Sequence, residues 1–265
     1  MSRPASFFRI KRVEITMARY EYIPSLYDIR FELPETNRQS DEFFYATVNG
    51  EQLRFNIHDY DTLYAVPWLY DIALYHGLKC RTPTEMADAI DGVWTEAGVD
   101  RDRLRVLELG AGSGVFGQEL RRIGARRLEA LDISSLAAHA AGRDRPRLYD
   151  SYHVADLTHL GEDVLDALQA ASFNVVAMAS ATGWGNHIPM AGFEQAFKLL
   201  ECDGWFIFHV KPNDPDPECI ELCQWIERKV KDGELGHVYR ESHFHRRSSN
   251  GGDIFYDVVI GRKST

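Results

Sequence analysis

The sequence predicts a doubly wound α/β fold, and three observations carry that prediction. Beyond residue 104, short apolar runs near 104–109, 127–132, 152–155, 173–179 and 204–210 alternate with amphipathic stretches. That alternation is the pattern of parallel strands joined by crossover helices and covered on both faces. The first run ends in a glycine-rich turn, Gly110-Ala111-Gly112-Ser113-Gly114, ahead of an amphipathic segment. Two last strands, near 237–244 and 254–261, flank Ser248-Ser249-Asn250-Gly251-Gly252, which reads as a hairpin turn. The expected sheet has seven strands, mostly parallel.

The first 56 residues read differently. Phe43-Phe44-Tyr45-Ala46-Thr47-Val48, then Asn49-Gly50, then Glu51-Gln52-Leu53-Arg54-Phe55 is a strong hairpin signal, because Asn-Gly supplies the positive φ angles of a type I′ turn. Arg12-Val13-Glu14-Ile15-Thr16 is a further candidate strand, and Pro24, Pro34 and residues 37–41 mark loops. Residues 1–56 are therefore expected to form a small β-containing extension that must pack on something, since a lone hairpin is marginal in water. The remainder, 57–265, is expected to be one domain whose helical segment 57–100 precedes the sheet. In that segment Thr82-Pro83-Thr84-Glu85 reads as an N-cap, a helix-starting proline and a capping-box glutamate, followed by the stripe Met86, Ile90, Val93, Ala97. Tyr60, Tyr64, Trp68, Tyr70 and Tyr75 crowd the stretch before it.

Composition narrows the classes of function. The chain has 265 residues, 45% hydrophobic and 26% charged, which is the make-up of an ordinary globule. Its formal net charge of −10 opposes a bulk nucleic-acid footprint, which needs a basic face to release counterions. Arg121, Arg122, Arg126 and Arg127 cluster, and read as a solvated helix face. The start lacks the apolar core of a secretory signal, and no stretch approaches the roughly 18 apolar residues of a membrane span. Four cysteines, Cys80, Cys202, Cys219 and Cys223, match no zinc spacing, and Cys219 and Cys223 fall on one helical stripe with Leu222, Ile226 and Val230. No metal is expected, and a reducing cytoplasm is the expected location.

The glycine turn points to a nucleotide cofactor. Glycines there let backbone pass close to a ligand, and the next helix offers unpaired N–H groups. Gly112-Ser113-Gly114-Val115-Phe116-Gly117 also fits the dinucleotide pattern G-x-G-x-x-G, although Gly117 reads more readily as a packing position. Glu108 argues otherwise: a carboxylate at that strand end would repel a pyrophosphate and suits a ligand carrying an ammonium and a sulfonium. Asp132, about twenty positions on at the end of the second strand, can accept both ribose hydroxyls of either cofactor.

These residues resemble the class I S-adenosylmethionine-dependent methyltransferases. Val106-Leu107-Glu108-Leu109-Gly110-Ala111-Gly112-Ser113-Gly114 matches their first motif at every defining position. Ala130-Leu131-Asp132-Ile133-Ser134 is similar to the second, and Val154-Ala155-Asp156-Leu157 to the third. Leu199-Leu200-Glu201-Cys202-Asp203-Gly204-Trp205 resembles a fourth, with Cys202 in place of proline and Asp203 in place of a glycine. The resemblance implies a Rossmann-like sheet whose last strand is antiparallel, a lid formed by 57–100, and S-adenosyl-L-methionine as cofactor. It implies cofactor contacts from Glu108, Gly110, Ala111, Gly112, Gly114, Asp132, Ile133, Asp156 and Leu157.

The loop after the fourth strand, residues 180–189, should face the transferred methyl. It lacks the Asn/Asp-Pro-Pro-Tyr motif of methyltransferases acting on nucleic acids and protein glutamine, whereas Asn186-His187-Ile188-Pro189 resembles the H-x-P turn of some small-molecule enzymes. The expected reaction is methyl transfer to an oxygen or nitrogen of a small molecule. His187 is the candidate base, His58 and Tyr60 are second choices, and Trp184 is placed at the acceptor or the cofactor. A nicotinamide-dependent oxidoreductase and a non-catalytic cofactor binder are the competing readings. No membrane partner is expected, and a homo-oligomer is compatible with the extension.

Overall fold

The structure is a computed structural model that describes residues 26–34, 39–182 and 187–264. The candidate strand at 12–16, the loop marks at Pro24 and Asn37, and Trp184 and Asn186 lie outside the described residues.

Strand propensity and burial build a seven-stranded sheet from β4 (Arg105–Leu109), β5 (Arg127–Asp132), β6 (Ser151–Val154), β7 (Val175–Ala177), β8 (Trp205–Val210), β9 (Leu235–Arg247) and β10 (Asp253–Lys263). Its order is β6-β5-β4-β7-β8-β10-β9. Strands β4 to β8 pair in parallel, while β10 runs antiparallel to both β8 and β9. The strand that is last in sequence is thus the reversed one, inserted one place from the edge. Chain order leaves β4 in one direction toward β5 and in the other toward β7, so the crevice beside β4 is the switch point where such sheets bind ligands.

Alternation of side chains divides the core. Val106, Ile207, Val258 and Ile260 face α3 (Thr82–Glu96) and α4 (Val115–Arg122), where Ile90, Trp94, Phe116 and Leu120 are buried. Leu107, Phe206, Phe208 and Val259 face α6 (Glu162–Ala171), α7 (Met190–Leu199) and α8 (Pro217–Lys231). There Phe193, Phe197 and Trp225 pack edge to face, with centroids 4.8 and 5.4 Å from the Trp225 ring. Cys219 is buried in this layer and Cys223 half-buried against it, but Val230 is exposed. The stripe therefore ends a turn earlier than its spacing predicts. The arginine cluster also departs from expectation. Arg121 donates to the carbonyls of Leu148 and Ala125 and is half-buried, and Arg122, though exposed like Arg126 and Arg127, pairs with Glu119 and Asp88.

The N-terminal sheet comprises β1 (Ile29–Glu32), β2 (Phe43–Val48) and β3 (Glu51–Asn56). Asn49 and Gly50 have φ of 53° and 85°, as the predicted type I′ turn requires. Phe44, Ala46 and Phe55 bury against the segment that follows: α1 (Tyr60–Ala65), α2 (Leu69–Asp71) and the π-helical turn Ile72–Gly77. A buried ion pair, Arg246 to Glu42 at 2.6 Å, fastens the small sheet to β9, and the Ser249 N–H donates to the same carboxylate.

Thr82 does not cap α3. The helix already includes it, and the preceding Arg81 makes no capping hydrogen bond through its side chain. The Thr82 hydroxyl instead joins two buried imidazoles of β9, His243 Nε2 at 3.0 Å and His245 Nδ1 at 2.7 Å. Tertiary pairing outcompetes the local cap, because two desolvated ring nitrogens would otherwise lose their partner. Thr82→Val should therefore cost about 1–3 kcal/mol, read as a lower midpoint in urea unfolding with an unchanged slope.

Candidate functional site

A cavity of about 590 Å³ lies over the carboxyl ends of β4, β5 and β7, beneath residues 58–75. Every residue expected to touch the cofactor, except Gly114, lines it, and so does His187. Gly114 instead begins α4 with φ of 91°, where a side chain would strike Leu148.

Glu108 is the deepest charged group, 2% exposed at the end of β4. Tyr149 donates its hydroxyl to Oε2 at 2.8 Å. Burial pushes the Glu108 carboxyl up to about 8, against the opposing pull of the Tyr149 hydroxyl, and the nearby Asp132 charge adds to the rise. Gly117 is confirmed as a packing position: a Cβ there would sit 2.7 Å from Glu108 Oε2 and 2.5 Å from the Tyr149 hydroxyl. Asp132 accepts from the Gly112 N–H at 2.8 Å and the Ser134 N–H at 2.9 Å, one on each oxygen. The Ile133 N–H supports the same carboxylate, which lines the cavity. Ile133 beside it is 71% exposed, an apolar side chain held out at the cavity wall, whereas Leu157 is buried. Asp156 is turned into its own loop, accepting from the Thr158 hydroxyl at 2.6 Å and the Thr158 N–H at 2.8 Å, which hold its carboxyl below the usual range.

The turn and the 58–75 segment are locked together by contacts that the sequence does not announce. The Tyr64 hydroxyl occupies the space a side chain at Gly112 would need, and Tyr152 donates to the Gly112 carbonyl at 2.8 Å. Asp71, at the end of α2, accepts from the Ser113 hydroxyl at 3.0 Å and pairs with Arg145, which also donates to the Ser113 carbonyl at 3.2 Å. Both side chains of the pair are buried. The guanidinium, then the Ser113 hydroxyl, counter the burial that pushes the Asp71 carboxyl upward, and Arg145 stays charged. Asp61 accepts from the hydroxyl of Ser134, the N-cap of α5 (Ser135–Asp144). Only carboxylates spaced along a tyrosine-rich helix hint at these ties in the sequence.

His187 stands at the cavity mouth. Its residue surface is exposed, yet the protein packed around the ring disfavours the imidazolium and lowers its pKa. The Tyr60 hydroxyl lies 3.4 Å from His187 Nε2 and 3.2 Å from His58 Nδ1. The three residues singled out as acid–base candidates are thus brought together, with the phenol between two imidazoles.

A methyltransferase-domain family matches residues 80–251, well over half of the chain. The chain belongs to this family. A methyltransferase that uses S-adenosylmethionine is what the membership establishes, and the glycine turn and strand-end acids fall inside the matched span. Among solved structures, the fold is similar to the N-methyltransferase NodS from Bradyrhizobium japonicum WM9 bound to S-adenosyl-L-homocysteine. That likeness has 14% identity and a TM-score of 0.54 over 79% of this chain and 98% of that one. Similarity also extends to PH1948 from Pyrococcus horikoshii, a candidate RNA methyltransferase, with 17% identity and a TM-score of 0.49 over 70% and 87% of the two chains. An O-methyltransferase from Bacillus cereus in complex with S-adenosylhomocysteine has 18% identity and a TM-score of 0.44 over 68% and 81%. No curated protein matches the sequence. Among the described residues, no helix is long and apolar enough to cross a membrane.

Removing the Asp71 carboxylate leaves a buried guanidinium unpaired. Asp71→Ala should cost about 3–5 kcal/mol, seen in denaturant unfolding, and weaken S-adenosylhomocysteine binding in calorimetry because Ser113 loses its anchor.

Proposed function

We propose that the cavity holds S-adenosylmethionine against Glu108, Asp132 and Ile133, and that the methyl passes to an oxygen or nitrogen of a small molecule near His187. The observation that carries this reading is the charge of the wall. Asp59, Asp61, Glu108, Asp132 and Asp156 line the cavity, and no lysine or arginine does among the described residues. A ligand with a sulfonium and an ammonium meets complementary charge there. A pyrophosphate would meet four carboxylates, the buried acid Glu108 and no counter-charge, so the nicotinamide reading has no physical support.

The residues fit the cofactor in three ways. Gly112, with φ of 55° and Tyr64 overhead, brings bare backbone to the cavity. The Asp132 carboxylate at the cavity wall suits a ribose diol, and Ile133 and Leu157 offer apolar faces to a base. When bound, the cofactor supplies an activated methyl on a cationic sulfur. The chain's own residues then align the acceptor, exclude water under the tyrosines and, where the acceptor carries a proton, receive it at His187 Nε2.

Two outcomes test this. A bound cation favours the ionised form of Glu108, so below about pH 8 binding should release protons and tighten as pH rises, levelling above that value. Calorimetry at pH 7 in buffers of different ionisation enthalpy should detect close to one proton released per S-adenosylmethionine, and none with Glu108→Gln. Equal proton release in both proteins overturns the role given to Glu108. His187→Ala should lower kcat about 10²–10⁴-fold for a protonated hydroxyl acceptor and leave the cofactor Kd unchanged; an unaltered kcat removes His187 as the base.

A further inference from the structure

Behind the Tyr60–His187 wall lies a second, smaller chamber of about 50 Å³. It shares His58, Tyr60, Tyr70, Ser180 and His187 with the main cavity, so the two adjoin at the end of β7. Its inner wall is made by His209 of β8, His245 and Arg246 of β9, and Tyr256 of β10. The rings are fixed by one another: His245 stacks on Tyr256 at 4.3 Å, and His209 meets the Tyr256 edge at 4.7 Å.

Two polar atoms at this chamber have no hydrogen-bond partner among the described residues. One is Nδ1 of His209, a residue only 1% exposed. The other is the buried hydroxyl oxygen of Ser180, a residue in the left-handed region at φ 58°. Leaving such groups unpaired is costly, and holding a serine at positive φ adds strain. Groups with this cost persist at sites where a ligand completes them. A volume of this size takes one polar group and the atoms next to it, leaving the body of a ligand in the main cavity.

The wall of the chamber differs from that of the cavity: its one charged group among the described residues is a guanidinium, ion-paired with Glu42 on its far side. Arg246 lines it, its partner Glu42 does not, and no carboxylate is among its lining residues. The imidazoles are neutral and add no charge to the wall. Burial, then the Arg246 guanidinium, holds His58 down at about 4, and burial with the neighbouring His243 keeps His209 uncharged. An ammonium would find no anion here, whereas an oxyanion finds a guanidinium, a serine hydroxyl and an imidazole.

Resting on the methyl-donor reading of the main cavity, we propose that the inner chamber seats the reacting end of the acceptor and selects an acidic hydroxyl, phenolic or carboxylic, over an amine. The acceptor oxygen forms its bond to the methyl carbon as the sulfur–methyl bond breaks, and that bond's electron pair stays on sulfur. An acceptor that enters as its anion leaves as a neutral ether or ester, with no proton to move. His209 and Ser180 hold the oxygen in line.

The test uses 4-nitrophenol and, as a cationic analogue of similar shape, 4-nitrobenzylamine, with the full chain at pH 7 in saturating S-adenosylhomocysteine. The phenolate absorbance should rise on binding, with a Kd at least tenfold below that of the amine. His209→Leu should weaken the phenol at least tenfold while S-adenosylhomocysteine binds with unchanged Kd. Equal binding of both probes, preference for the amine, or binding of neither overturns the inference so long as S-adenosylhomocysteine binds. Failure of S-adenosylhomocysteine to bind the unaltered chain removes the methyl-donor reading itself. The two probes are compared on the unaltered chain, so the result does not depend on the variant folding.

Discussion

Placing a carboxylate at the centre of a parallel sheet is costly, and much of this molecule is arranged around one. Glu108 ends β4, the strand beside the switch point, and is almost fully buried. Desolvation of a lone carboxylate costs several kcal/mol in a real protein, and the Tyr149 phenol with the Gly117 N–H offsets only part of that. Gly117 has no side chain because any would strike the carboxylate and its phenol. A group this poorly compensated is tolerated where a cation completes it. The same acid therefore constrains the glycine pattern, the tyrosine before β6 and the charge of the ligand.

The 58–75 segment turns that strand end into an enclosed cavity. Its tie is ionic as well as apolar: Asp71 reaches across to Arg145 and Ser113, coupling α2, the glycine turn and the end of α5 in one buried cluster. Tyr64 then covers Gly112. The small N-terminal sheet supports the segment from outside through Phe44 and Phe55, and Glu42 fixes that sheet to β9 through Arg246. An extension that could not be stable alone is thereby made part of the wall around the site.

Legibility in the sequence followed the range of the interactions. Elements set by local pattern were readable: the five parallel strands, the last hairpin, and the Asn49-Gly50 turn with its two positive φ angles. Glu108, Asp132 and their neighbours were readable because a strand end and a glycine turn fix them within a few residues of each other. Long-range partners were not. Thr82 looks like a cap and is a bridge between two histidines of a strand more than 150 residues away. Arg121 and Arg122 look solvated and are tied into the protein by carbonyls and carboxylates. Strand β1 has too few residues to carry a period of its own and forms only by pairing with β2. His209 sits in an apolar run that predicts its strand correctly and says nothing of the chamber it faces.

Two adjoining spaces with differently charged walls bear on a demand that methyl transfer makes. A cationic donor and an electron-rich acceptor must approach closely, yet each must be refused by the other's site. Carboxylates line only the larger space, and Arg246 lines only the smaller. The boundary consists of groups that stay neutral near pH 7: the Tyr60 phenol, raised to about 12 by burial, and His58, lowered to about 4. Neutral aromatic walls keep each field from being cancelled across the gap, since a charged residue there would attract one ligand into the other's place. Their chain positions make this separation possible. Asp59, Asp61 and the strand-end acids come from segments around the switch point, whereas Arg246 arrives on β9, the far edge strand, which the reversed β10 separates from β8. The antiparallel hairpin at the end of the chain is in this way part of the site, because it carries the positive charge to the side of the sheet that the carboxylates do not reach.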